Sequence, residues 1–208
     1  AVIAALFAAM LMALTAPAYS PAAPRPLNIQ HVAEAGSGEA FFAISPTGEA
    51  PPPALKKEYE FEHRKFAGLS RTYFAAPAPS HDGRAVGVSI TEIARSEQGR
   101  KTSLAFSANG ADEIIAIAPK EADLALVGAG GEDAAFDKAG SKVIRCIGRA
   151  CADFRADVAI GLSPATWTVI GVRYGLDEAG AAAAKLRPDW AVPIQGGDVR
   201  LVISEVSI

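Results

Sequence analysis

The sequence is poor in the residue types that build reactive or metal-binding centres. Its 208 residues include 2 cysteines and 3 histidines, too few for a disulfide-dense scaffold, a four-cysteine zinc site or a histidine-rich metal site. It also lacks an excess of positive charge, because 20 Lys and Arg stand against 23 Asp and Glu for a net charge of −3. Proteins that bind nucleic acids usually carry a basic face, so we expect no nucleic-acid partner.

Charge is missing altogether from the start of the chain. The first charged residue is Arg25, and residues 1–18 are almost wholly apolar. As a helix, Ala1–Ala16 would span about 24 Å, less than a hydrocarbon core of about 30 Å, as expected of a membrane helix truncated at its N-terminal end. The alternative is the hydrophobic region of a signal peptide, because Ala16-Pro17-Ala18 fits the small-x-small cleavage pattern.

Both interpretations place the rest of the chain outside the cytoplasm. Arg25 is the only Lys or Arg before Lys56, whereas the cytoplasmic flanks of membrane helices are usually richer in these residues. We therefore predict a membrane-anchored protein, held through residues 1–18, on the extracytoplasmic (periplasmic) side. Four prolines between Pro17 and Pro26 predict an extended spacer over residues 19–26.

The remainder, residues 27–208, shows the short alternating segments of a β-rich domain. Two hairpins are predicted, Leu27–Ala35 with Glu39–Ser45 and Val86–Ala94 with Lys101–Ala108, each joined by a glycine-containing turn. Further strands are predicted over Glu58–Glu62, Tyr73–Pro77, Glu113–Ala118, Leu124–Val127, Lys142–Ile147, Phe154–Ile160, Thr166–Arg173 and Val199–Val206. One helix is predicted over Asp177–Leu186, capped by Asp177 and ended by a proline. The predicted fold class is mainly β, an antiparallel β-sandwich or jelly-roll-like domain preceded by an N-terminal hydrophobic helix.

Cys146 and Cys151 are predicted to form a disulfide. Outside the cytoplasm, two neighbouring cysteines most simply pair. Their Cα atoms must then lie within about 4.4–6.8 Å, whereas extended chain would hold them up to about 17 Å apart. Residues 147–150 must therefore turn, and Gly148 can take the positive φ that a tight turn needs. The alternatives are two free buried thiols or a redox or metal role, although redox pairs usually have C-x-x-C spacing.

No other residue carries a recognisable chemical motif. His31, His63 and His81 are scattered and no H-E-x-x-H is present, so we interpret them as surface or hydrogen-bonded core histidines. Trp167 and Trp190 fit core or core-edge positions, with sugar-binding platforms as the alternative. The sequence therefore predicts no catalytic, cofactor-binding or metal-binding residue in this chain.

Three segments resemble a known family. RCIGRACADF (145–154), WAVPIQGGDVRLV (190–202) and the opening RPLNIQHV (25–32) are similar to the C-terminal region of bacterial membrane-bound M28-type zinc metallopeptidases. These proteins share the architecture of the endoplasmic-reticulum metallopeptidase. The resemblance implies a zinc-dependent exopeptidase domain, several membrane helices and then this β-rich extracytoplasmic domain.

The resemblance transfers no catalytic residue to this chain. The family binds two zinc ions through an H-x-D pair with further acidic and histidine ligands, but here His81 directly precedes Asp82. It implies a non-catalytic domain that shields or positions the peptidase domain of the same parent chain, or its substrate, with zinc in the catalytic domain upstream. The alternative is an independent exported β-sandwich protein that binds carbohydrate or peptide.

Overall fold

The computed structural model describes residues 19–45, 50–119, 124–129, 142–194 and 196–208. The apolar segment predicted over residues 1–18 lies outside these ranges. The strands are β1 (Arg25–Pro26), β2 (Asn28–Glu34), β3 (Ala40–Ser45), β4 (Glu62–Lys65), β5 (Thr72–Pro77), β6 (Gly87–Ser96), β7 (Gly99–Ser107), β8 (Glu113–Ala118), β9 (Leu124–Ala129), β10 (Lys142–Ile147), β11 (Arg155–Ile160), β12 (Thr166–Tyr174), β13 (Ala191–Val192) and β14 (Val199–Ser207). The helices are α1 (Pro53–Glu58) and α2 (Glu178–Ala184), with a 3₁₀ turn at Gly148–Cys151. The described residues are mainly β, as the alternating pattern predicts.

The largest sheet has eight strands in the order β10-β8-β12-β14-β2-β3-β5-β4. Its pairs are antiparallel except for β14 and β2, which run parallel with Leu201 opposite Val32. Alternation along a strand marks its two faces but not its neighbour, so the pattern could not predict this central parallel pair. The pair joins the N-terminal hairpin to the last strand of the domain.

A four-stranded sheet, ordered β6-β7-β11-β9, covers one half of one face of the large sheet. The core between the two sheets includes Trp167, Ile114, Leu104 and Phe154, all at most 1% exposed. Along β8, alternate side chains point into this core while the intervening isoleucines pack on the opposite face. This is the period-two arrangement of a strand buried on both faces.

The other half of the same face is covered by helices and by the start of the chain. Leu55 of α1 and Ala183 of α2 pack with Ile29 and Phe42 of the large sheet. Strand β1 pairs in parallel with β13 at the margin of this core. Residues 25–26, within the predicted spacer, are therefore part of the folded structure.

The opposite face of the large sheet is covered by the connection between β4 and β5. Phe66 in this connection is 1% exposed and packs edge-on to Phe41, with ring centroids 5.8 Å apart. The Arg64 guanidinium lies 3.8 Å from the Phe41 ring centroid and bonds to Glu34. Both long faces of the sheet are thus shielded over much of their length.

Most predicted strands form close to their expected bounds, and one does not. The segment Glu58–Glu62 is not a strand, because α1 ends at Glu58 and β4 begins at Glu62. Tyr59 has extended backbone angles, and Tyr59 and Phe61 still pack on the core while the acidic residues face solvent. The alternation therefore reflects alternate burial of the side chains along this extended segment, although the segment has no strand partner.

None of the helices in the described ranges is long and apolar enough to cross a membrane.

Candidate functional site

The smaller sheet and the helix-covered core meet over the middle of the large sheet, and several titratable side chains lie close together there. Register places His31 of β2 beside Arg200 of β14, and Val202 beside Gly171 of β12, on the same face. The smaller sheet lies on one side of these two residue pairs, and α2 and its neighbours lie on the other. We call His31, His81 and Asp177 the histidine cluster.

His31 is fully buried and its two ring nitrogens both face acceptors. Its Nδ1 lies 3.0 Å from Oδ1 of Asp177, and its Nε2 lies 2.8 Å from the carbonyl oxygen of Pro79. A neutral imidazole carries one N–H, whereas an imidazolium carries two. With Asp177 ionised, both contacts are hydrogen bonds only if His31 is protonated. The two contacts therefore match an imidazolium that faces the Asp177 carboxylate and the Pro79 carbonyl.

One carboxylate oxygen of Asp177 contacts both helix α2 and His31. It is the N-cap of α2, and its Oδ1 also accepts the Gly180 N–H at 2.9 Å. Burial acts to raise the pKa of Asp177, but the bonds from Gly180 and His31 and the nearby positive charge outweigh burial and hold that pKa below its ordinary value. The carboxylate therefore remains ionised at neutral pH.

His81 lies edge-on to His31, with ring centroids 4.7 Å apart, but its partners require the neutral form. Its Nε2 donates to the Leu201 carbonyl at 3.2 Å, and its Nδ1 accepts the Gly83 N–H at 3.0 Å. Burial, followed by the charge of His31, lowers the pKa of His81 below its ordinary value. The two neighbouring rings thus have different hydrogen-bonding partners: two acceptors face His31, whereas one donor and one acceptor face His81.

A narrow crevice beside the cluster is lined by three arginines, Arg84, Arg173 and Arg200. Arg200 donates from Nη1 to Asp82 at 2.9 Å. Arg173 donates from Nε to the Gly110 carbonyl at 2.8 Å, which fixes its guanidinium against the turn before β8. The crevice is therefore electropositive, and two of its three cations are tied to protein acceptors.

Within the cluster, His31 is enclosed by its protein partners. His31 is 0% exposed and both its nitrogens are occupied, so it cannot reach a substrate. Within the described ranges, no group of three His, Cys, Asp or Glu side chains could hold a metal ion. His63 lies apart from the cluster, on Phe74 with ring centroids 4.4 Å apart.

The predicted disulfide between Cys146 and Cys151 forms, with Cα atoms 5.3 Å apart. The chain turns between them through the 3₁₀ turn, and Gly148 has a φ of 61°, as the spacing requires. The Arg145 side chain is 47% exposed, and its Nε donates to Glu113 at 2.6 Å. Glu113 is 4% exposed, so this pair ties the loop to the start of β8.

The tryptophans occupy the predicted core and core-edge positions. Trp167 is 0% exposed between the two sheets. Trp190 is half-buried on the helix-covered core, and its outer side stacks with Tyr19 at a centroid distance of 6.2 Å. Trp167 is thus enclosed in the core, whereas Trp190 remains partly exposed beside Tyr19.

Sequence reasoning missed the histidine cluster, although it identified Asp177 as a helix cap. The contact between His31 and Asp177 spans 146 residues, and no local pattern encodes it. The one available signal was a histidine inside an apolar strand, which must find hydrogen-bond partners when it is buried.

No protein-family profile matches this chain, and no curated protein matches it at a significant level.

Proposed function

We propose that the chain is the non-catalytic, extracytoplasmic C-terminal domain of a membrane-anchored M28-type zinc metallopeptidase. Residues 1–18 would form the last membrane helix, and residues 27–208 a sandwich-type domain on the periplasmic side. The domain would position or shield the peptidase domain of the parent chain or its substrate. Zinc would be held upstream, in the catalytic domain.

The observation that carries the proposal is the position of the three segments on which the family resemblance rests. Segments 25–32 and 190–202 fold against each other. Strand β1 pairs with β13, the side-chain amide of Asn28 bonds to Ile194 at 2.7 Å, and Asp198 accepts the Ile29 N–H at 2.8 Å. Two of the three segments that carry the resemblance thus contact each other in the fold.

The third segment, 145–154, is the disulfide loop. Its cysteines are bonded, its Gly148 N–H donates to the Asp112 carbonyl at 2.7 Å, and Phe154 is 1% exposed in the core. Structural disulfides are typical of oxidising compartments such as the periplasm. The bond therefore supports the extracytoplasmic location, independently of the apolar start of the chain.

The histidine cluster is consistent with a supporting role. Its charges are used to attach α2 and the connection at Pro79 to the large sheet. A buried ion pair costs desolvation, but removing one partner is costlier still. Such a pair is suited to fixing one arrangement of the helix on the sheet, as a domain that positions another domain requires.

The upstream reading frame tests the proposal. We expect the frame to continue back from Ala1 through several hydrophobic spans to a domain that contains an H-x-D zinc motif. A start codon within about ten codons of Ala1, followed by Lys or Arg, would instead identify a signal peptide and an independent exported binding protein.

Enzyme assay of the chain itself provides the second test. We expect residues 1–208, purified in detergent, to hydrolyse no aminopeptidase substrate when zinc is added. Turnover that a chelator abolishes would contradict the non-catalytic assignment. A preparation with the disulfide intact, checked by thiol counting, serves as the folded reference.

A further inference from the structure

An aromatic patch lies at the start of the described chain, at the margin of the helix-covered core. We define it as Tyr19, Trp190 and Val192. The rings of Tyr19 and Trp190 stack nearly parallel, at 14° between planes, and Val192 is 38% exposed. The patch thus presents apolar surface outside the core.

The patch is held rigidly to the domain by the backbone. Arg25 donates its N–H to the Trp190 carbonyl at 2.6 Å, and Leu27 donates its N–H to the Val192 carbonyl at 2.9 Å. The Arg25 guanidinium carbon lies 6.0 Å from the centroid of the Tyr19 ring. Backbone hydrogen bonds therefore fix Trp190 and Val192 to the domain, and Tyr19 lies against Trp190 through the ring stack.

The length of the connection to the apolar segment limits where the patch can lie. Only Pro17 and Ala18 separate Ala16, the end of the apolar run, from Tyr19. The three Cα-to-Cα steps from Ala16 to Tyr19 span at most about 11 Å. The headgroup layer on each side of a bilayer is about 5–7 Å thick, from the difference between the whole bilayer and its hydrocarbon core. If Ala16 ends a membrane span, Tyr19 lies within the headgroup layer or at most about 6 Å outside it, even with the connection fully extended.

We propose that the aromatic patch is embedded in the lipid headgroup layer and holds the domain directly against the membrane. This inference rests on the proposed membrane helix over residues 1–18. Tyr and Trp are enriched at this depth because one part of each ring system is apolar and another is polar. The partner is a lipid surface, and the domain is docked on it rather than suspended on a flexible stalk.

Tryptophan quenching by brominated lipids tests the proposal with the full chain. The chain contains two tryptophans, and Trp167 is 0% exposed in the core, so lipid bromines can reach only Trp190. In phosphatidylcholine vesicles brominated near the headgroup, we expect emission of the wild-type chain to fall by up to about half. The Trp190→Phe variant retains an aromatic stack on Tyr19 and should lose the quenching.

Flotation of the vesicles distinguishes the membrane tether from the docking of the aromatic patch. A chain that floats with the vesicles but shows no quenching would overturn the docking of the patch while leaving the membrane helix intact. A chain that does not float would overturn the membrane tether, and the docking with it. Equal quenching of Trp190→Phe and wild type would also overturn the assignment, since Trp167 would then be the quenched residue.

Discussion

Replacing Asp177 by alanine tests whether the histidine cluster stabilises the domain as its geometry indicates. The substitution removes the N-cap of α2, which costs about 1 kcal/mol. It also removes a hydrogen bond between charged groups, worth about 1.5–3 kcal/mol. Because the Asp177 side chain is only 19% exposed, solvent replaces little of this. We expect the free energy of unfolding at pH 7 to fall by about 2.5–4 kcal/mol, or roughly 5–16 °C in Tm.

Urea denaturation at pH 7 measures this loss, and two further variants interpret it. Asp177→Asn keeps a capping oxygen but removes the charge, so it should lose less than Asp177→Ala. Asp82→Ala removes an aspartate that also bonds to an arginine but is 75% exposed, so it should cost less than about 1 kcal/mol.

Two results would refute the reasoning about the buried pair. A loss below about 1 kcal/mol for Asp177→Ala would leave no room for both the cap and the charged hydrogen bond. The ring nitrogens give a second measurement, since ¹⁵N NMR at pH 7 should find both His31 nitrogens protonated. One unprotonated His31 nitrogen in the wild type would show that the imidazolium assignment is wrong.

Three further predictions follow from the site and the loop. The lowered pKa of His81 means that the unfolded chain binds its proton first, so stability should decline as pH falls below about 6.5, and His81→Asn should reduce that slope in urea titrations at several pH values. Replacing Cys146 and Cys151 by serine should cost about 2 kcal/mol in the same assay, as the chain-entropy relation gives for so short a loop. Gly110→Ala should cost about 1–3 kcal/mol, because φ is 89° and the new Cβ would meet Nη2 of Arg173.

Each of these three predictions has its own control or contradicting result. Gly36→Ala is the match for Gly110→Ala, since nothing lies within 4 Å of its Cβ position, and equal losses would contradict the close-contact argument. An unchanged pH slope in His81→Asn would assign the acid sensitivity to other groups. Two thiols titrated in denatured, unreduced protein from the periplasm would contradict the disulfide.

The local structure of several segments could be predicted from the amino-acid pattern alone. The alternation of apolar residues located β8 and β10 at their observed bounds, Glu113–Ala118 and Lys142–Ile147. The C-x₄-C spacing required a turn that only a residue tolerant of positive φ makes easily, and Gly148 makes it. Asp177 was identifiable as a cap because capping involves residues three apart in the chain. These features are fixed by backbone sterics and by contact with solvent within a few residues.

Contacts between residues far apart in the sequence could be identified only from the complete fold. Strand β14 pairs in parallel with β2, and His31 meets Asp177 across 146 residues of sequence. Both hydrogen-bond partners of His31 and one partner of His81 lie on distant segments, so identical side chains meet different surroundings. Alternation shows which face of a strand is buried but not which element buries it. Many arrangements of the strands would bury the same apolar area. The specific hydrogen bonds that favour one arrangement form only in the complete fold.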